Sequence, residues 1–313
     1  MYIAYLNTQE LNDILCVGEV LIDLIGQEKA SLKKTKSFQK LLGGSPTNVA
    51  INTSRLGLNV VLIGSVGADG FGVFARQQLN AAGIDTSRIV EQDSKATSVI
   101  VVSKSEETPE FISFRQADSQ ILEESIPQSL LEQSKIFHTT CFALSKHPAQ
   151  ATLLKKAEEA FQLGCRLSID LNYAAPIWSS TTSVQEIIKT YAQWNPLVKI
   201  SEVDVERIFQ KPMGHAEVFE YFHQLGVETL CLTLGSRGVK LSHKGQSPIF
   251  LAAEPLPQVV DVTGAGDAFW SGFLYGFLQK YSWLDCLEFA QKTAVLKLQN
   301  LGHLPKDAPQ LLF

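Results

Sequence analysis

The stretch Val259-Val260-Asp261-Val262-Thr263-Gly264-Ala265-Gly266-Asp267-Ala268-Phe269-Trp270-Ser271-Gly272-Phe273 decides how this chain is read. Two glycines flank an alanine, an aspartate follows at once, and small or apolar residues then recur at helical spacing. The pattern predicts a strand, a tight loop and the start of a buried helix. Gly264 and Gly266 let the backbone turn sharply and approach a ligand closely. The unpaired N–H groups of the helix's first turn then point at one spot where the helix dipole is positive, and a phosphate fits there. Asp267 lies in the same turn, where the dipole favours its ionised form, so it can accept the proton of an alcohol beside that phosphate. The pair points to phosphoryl transfer, where catalysis is mostly positioning and electrostatic stabilisation. A turn that merely caps the helix is the alternative, and a bare G-x-G-D does not separate the two.

Composition narrows the field. With 313 residues, 45% of them hydrophobic, the chain can bury a sizeable core in one large α/β domain or two ordinary ones. A net charge of −5 argues against a nucleic-acid or anionic-membrane surface, since both need a basic footprint. Cys16, Cys141, Cys165, Cys231 and Cys286 are scattered without a C-x-x-C, which reads as reduced and cytosolic. No apolar run approaches the ~20 residues of a membrane helix. Residues 1–13 lack the basic start and apolar core of a signal peptide, so a cytoplasmic protein is expected. The six histidines form no H-E-x-x-H or Cys/His cluster, which argues against a structural zinc.

The full D-x-T-G-A-G-D-x-F of residues 261–269 resembles the C-terminal signature of the ribokinase (PfkB) family of sugar and nucleoside kinases. The resemblance implies that Asp267 is the catalytic base and that Gly264, Ala265 and Gly266 form an anion hole. It also implies that Asp261 and Thr263 lie at a monovalent-cation (K⁺) site. More than two hundred residues earlier, Gly43-Gly44-Ser45-Pro46-Thr47-Asn48 is similar to the family's G-G-x-x-x-N. There Gly43 and Gly44 let a sugar lie against the backbone, and Asn48 binds its hydroxyls. Read by itself, Ser45 predicts a helix cap with Pro46 in the first turn and Gly57 at the end.

The rest of the chain is read in order. Residues 14–25 predict a largely apolar opening strand that acquires Glu19 and Asp23 after Gly18, and the spacing of Asp23 resembles the family's first sugar-binding aspartate. Asp69 is expected to cap a helix. Residues 97–103 and 110–115 predict two strands joined by a charged turn. The resemblance makes them, with the segment after Asp23, a β-sheet lid that closes over the sugar and pairs with a second subunit. Phe111-Ile112-Ser113-Phe114-Arg115, just before Ala117-Asp118, is similar to the branch of fructokinases and 2-keto-3-deoxygluconate kinases. That similarity makes Arg115 the candidate for reaching the sugar.

From residue 136 onward, strands alternate with helices, which argues a parallel sheet covered on both faces. Asp170-Leu171-Asn172 lies at a strand's carboxyl end and, with Trp178, is similar to a fructokinase motif that carries arginine where this chain has Ala174. The missing cation argues against a sugar acid. Ser201 to Asp204 resembles the family's N-x-x-E in the form S-x-x-D, which implies Mg²⁺ and phosphate binding; a helix cap by Ser201 is the alternative. Thr233, Gly235, Ser236 and Gly238 match T-x-G-x-x-G, a nucleotide-binding turn. Ala268, Gly272 and Gly276, spaced by four, predict close helix packing.

Over about residues 14–305 the resemblance implies an α/β fold: a ribokinase-like three-layer α/β/α sandwich with a mostly parallel central sheet and a small β-sheet lid. One kinase domain is expected over 1–313, with the lid at about 20–42 and 95–117. The implied activity is ATP-dependent phosphorylation of a primary sugar hydroxyl, with Mg²⁺ and K⁺, in a homodimer joined through the lid. Fructose leads as substrate, with 2-keto-3-deoxygluconate and 5-dehydro-2-deoxygluconate as rivals and a non-catalytic sugar-binding protein as a remote alternative. No Walker A motif is present, and a Rossmann fingerprint fails because position 269 is Phe269.

Overall fold

Ile14, Leu15, Cys16 and Val17 are all fully buried, as a strand with helices on both faces requires. The computed structural model describes residues 11–104, 110–178, 184–256 and 258–313; the readings made for residues 1–10 and for the turn at 105–109 lie outside them. The strands are β1 (Asn12–Val17), β2 (Leu21–Gly26), β3 (Phe38–Gly43), β4 (Val60–Gly67), β5 (Ile89–Gln92), β6 (Val99–Val102) and β7 (Phe111–Phe114). They continue with β8 (Ser134–Thr140), β9 (Arg166–Asp170), β10 (Leu197–Ser201), β11 (Thr229–Thr233), β12 (Val239–His243) and β13 (Ile249–Leu251). The helices are α1 (Ser45–Arg55), α2 (Gly70–Ala81), α3 (Gln128–Glu132), α4 (Ala149–Gln162), α5 (Val184–Ala192), α6 (Glu202–Phe209), α7 (His215–Gln224), α8 (Ala265–Leu278), α9 (Trp283–Leu298) and α10 (Ala308–Leu312).

Nine strands form the main sheet in the order β13-β12-β11-β10-β9-β8-β1-β4-β5. It is parallel from β5 to β11, and β12 and β13 add antiparallel at one edge. Successive residues of β1 point to opposite faces. Leu15 and Val17 join a core with α4, α5, α6 and α7, while Ile14 and Cys16 join another with α1, α2, α8 and α9. The result is three layers. A separate four-stranded sheet, β3-β2-β6-β7, forms the lid. Among the described residues no helix is long and apolar enough to cross a membrane.

Three expectations are corrected. The opening strand is two strands: β1 ends at Val17, and Asp23 lies on β2 in the lid sheet. Glu19, between them, is anchored by the Ser45 N–H and Thr140 hydroxyl, and this breaks the run. Val259–Val262 is not a strand. The N–H groups of Val260 and Asp261 bond the Leu298 carbonyl at the end of α9 rather than a strand neighbour, which leaves the three valines exposed. Gly44, not Ser45, is the N-cap of α1, with Pro46 in the first turn. Asp69 does cap α2, through the Phe71 and Gly72 N–H groups.

The small-residue stripe does what the spacing predicts. A Cβ on Gly272 would lie 2.8 Å from the Ala290 Cα and 2.5 Å from the Thr293 Oγ1 of α9. Gly272→Ala gains up to about 1 kcal/mol of helix propensity, but overpacking against backbone costs about 1–3 kcal/mol. The clash wins, so this variant should show a lower midpoint in chemical denaturation; an unchanged midpoint would mean the helices separate freely.

Candidate active site

The carboxyl ends of the parallel strands and the start of α8 meet along one edge of the sheet, where open α/β folds place their ligands. Gly264, at φ +73°, begins the helix in a left-handed conformation that a side chain would strain. The Ala268 N–H closes onto the Gly264 carbonyl and the Ala265 N–H onto the Val262 carbonyl, so of the loop's N–H groups those of Gly264 and Gly266 are the ones left to face a ligand. Asp267 stands beside them.

The two glycine signatures come together on that aspartate. The Ser45 hydroxyl donates to Asp267 Oδ1 at 2.6 Å, and Asn48 Nδ2 donates to Oδ2 at 2.7 Å. Freed from capping, Ser45 instead holds the Asp267 carboxylate. Burial pushes the Asp267 pKa up to about 6, helped by the charge of Asp170; Lys199, Ser45 and Asn48 pull the other way. Asn48 Oδ1 accepts from His303 Nε2 at 2.9 Å. Burial pushes the pKa of His303 down to about 4, so the ring is neutral and carries its proton on that nitrogen.

Removal of the Asn48 donor should raise the Asp267 pKa further, because that hydrogen bond favours the charged form. For Asn48→Ala, the acid limb of kcat/KM is therefore expected to move to higher pH than in the wild type. A limb that stays in place would show that Asn48 does not act on Asp267.

Asp23 lines a cavity of about 280 Å³ with Lys40, Asn48, Arg55, Gly264 and His303. Burial, then the charge of Asp267, pushes its pKa up to about 7. A Cβ on Gly43 would lie 2.2 Å from Asp23 Oδ2, so that glycine leaves room for the carboxylate. Arg115 is held by its own neighbours. Its Nε and Nη2 donate to Asp118 Oδ2 at 2.9 and 2.6 Å, Nη1 donates to Ser145, and the guanidinium lies over the Phe142 ring. Asp118, three residues on, balances the guanidinium charge.

Lys199 was missed by the sequence reading, although a lone lysine in a buried central strand is itself a signal. Its Nζ bonds Asp170 Oδ2 at 2.7 Å and would lie 3.1 Å from a Cβ on Gly266, so an ammonium underlies the start of α8. Asp170 Oδ1 is buried without a hydrogen-bond partner among the described residues. Ser201 caps α6 by accepting from the Asp204 N–H, so the capping alternative holds locally. Asp204, pushed up to about 6 by burial, also feels Lys199 and Asp170. Ser201 is paired with Thr233 across β10 and β11, and Gly235 and Ser236 form the tight turn after β11, before Gly238.

Just before the start of α8, Asp261 Oδ1 accepts the Thr263 N–H at 2.9 Å. The remaining oxygen and the carbonyl of Asp261 face Lys297 Nζ, at 3.0 and 3.3 Å. Thr263 thus offers a donor, and the Asp261 carboxylate already holds a cation.

Known proteins resemble the chain in sequence and in fold. Residues 11–309 match the model of the pfkB family carbohydrate kinases. An ATP-dependent 6-phosphofructokinase of Thermoanaerobacterium thermosaccharolyticum is 35% identical over 301 residues, covering 96% of this chain and 91% of the relative. The structure of Halothermothrix orenii fructokinase aligns with TM-score 0.78 at 33% identity, over 91% of this chain and 99% of that one. A sugar kinase of Pyrococcus horikoshii in complex with ATP aligns with TM-score 0.81 at 28% identity, over 96% of this chain and all (100%) of that one. The chain belongs to the pfkB family of carbohydrate kinases, with a ribokinase-like fold, and is a phosphotransferase acting on a sugar hydroxyl.

Proposed function

We propose that the protein transfers the γ-phosphoryl of ATP to a primary hydroxyl of fructose, with Asp267 as general base. The observation that carries this reading is the Asp267 carboxylate, held by Ser45 and Asn48 at the open first turn of α8. Asp267 takes the hydroxyl proton while the N–H groups of Gly264 and Gly266, with Lys199 beneath, stabilise charge on the transferred group; the Ala265 N–H is held by the Val262 carbonyl at 3.2 Å. Asp23 and Asn48 orient the sugar. Ser201, Thr233, Gly235, Ser236 and Gly238 bound the nucleotide side, and the ATP-bound relative supports ATP as the phosphoryl donor.

Mg²⁺ fits this site. The unpartnered Asp170 Oδ1 and the neighbouring Asp204 are the carboxylates that would hold it, directly or through water. When bound, it neutralises charge on the ATP phosphates. The exposed Ile112 and Phe114 on lid strand β7 support a lid-to-lid homodimer.

Fructose 6-phosphate is the second reading. It is favoured by Lys40 and Arg55, which line the Asp23 cavity, and by the name of the phosphofructokinase relative. ADP release on fructose, fructose 6-phosphate, 2-keto-3-deoxygluconate and 5-dehydro-2-deoxygluconate tests the proposal. Highest kcat/KM on fructose supports it; preference for the phosphate or an acid replaces the substrate, and sugar binding without turnover would leave a sugar-binding protein.

A further inference from the structure

Lys297, in the last turn of α9, has 1% of its surface exposed. Its Nζ lies 3.0 Å from Asp261 Oδ2, 3.3 Å from the Asp261 carbonyl and 3.3 Å from the Asn300 carbonyl. An ammonium carries three donors and no acceptor, and these three oxygens receive them. One carboxylate and two carbonyls are also the hard oxygen ligands that a monovalent metal ion takes. A second positive charge inside the same cage would meet the repulsion of the first.

The cage adjoins the anion loop. Asp261, pinned by Lys297, accepts the Thr263 N–H, and Gly264 follows directly. The Lys297 Cε would lie 3.8 Å from a Cβ on Gly264, so the charge sits beside the N–H groups that receive phosphate. Burial opposes ionisation of Asp261, but the Thr263 N–H and the Lys297 ammonium outweigh it and hold its carboxyl below the usual range.

We propose that Lys297 is a built-in cation: its ammonium takes the place of the K⁺ ion at Asp261, and the anion loop is held in its phosphate-binding form without added monovalent metal. This inference rests on the kinase reading of the site. It makes Lys297 a positioning residue acting through Asp261.

The test compares KCl with tetramethylammonium chloride at matched ionic strength, using ADP release and thermal melting. Wild-type rate and melting midpoint should be the same in both salts. Lys297→Ala, which opens the cage, should lose about tenfold or more in kcat in tetramethylammonium and regain rate and melting midpoint as KCl is added. A wild-type rate or midpoint that climbs with KCl overturns the proposal, and this arm needs no variant. A folded Lys297→Ala indifferent to KCl overturns it as well. The melting arm needs no turnover, so a failure of the kinase reading, seen as no ADP release on any sugar, is distinguishable from a failure of the ion substitution.

Discussion

Asp267→Asn is expected to lower kcat by about 10²- to 10⁴-fold, the range a positioned general base contributes, while ATP and sugar affinities measured by calorimetry stay close to wild type. The amide keeps the shape of the carboxylate: its oxygen can accept from Asn48, and the Ser45 hydroxyl can rotate to accept from its nitrogen. Only the ability to take a proton is removed. Wild-type turnover should fall as pH drops through about 6, where Asp267 becomes protonated. The same raised pKa has a stability consequence. A carboxylate whose folded pKa lies above its unfolded value favours the native state fully below the unfolded pKa, and that contribution is lost as pH rises through about 6. The variant should therefore melt higher than wild type above that pH, with the difference vanishing in acid. Normal turnover in Asp267→Asn would remove the base from this position.

How far the sequence could be read depended on whether a group's partner was local. The helix start at Gly264, the Asp69 cap and the close approach at Gly272 are dictated by short-range backbone and packing rules, and each was legible. The pairing of Arg115 with Asp118 was not, because an arginine after a strand reads the same with or without an aspartate partner three residues on. Ser45 shows the same limit. Its identity and position fit a cap, yet its hydroxyl crosses 222 residues of sequence to reach Asp267. The valines before Asp261 have strand propensity, but β-propensity expresses packing against neighbours, and here the neighbour is the end of a helix. Lys297 was hidden because a lysine near a helix C-terminus is ordinary on the surface; only burial among oxygens marks it.

Lys199→Met is expected to reduce both stability and activity, for separable reasons. The Lys199 and Asp170 side chains are 7% and 1% exposed, so removing the ammonium leaves a buried carboxylate without its counter-charge. Breaking such a pair costs about 3–5 kcal/mol, which corresponds to a melting temperature lower by on the order of 5–10 °C in a chain of this size. The chemistry suffers through Asp267. Lys199 holds the pKa of the base down and Asp170 pushes it up, so losing the cation moves it above about 6 and shifts the acid limb of the rate to higher pH. Adding Asp170→Asn should separate the two effects. The double variant removes the stranded charge and regains stability relative to Lys199→Met, but it restores neither the ammonium beneath the anion loop nor the Asp170 carboxylate. A thermodynamic cycle over the two single variants and the double variant should therefore show strong coupling in melting and continued loss in kcat. If Lys199→Met melts like the wild type and keeps its pH profile, the lysine neither balances Asp170 nor tunes the base.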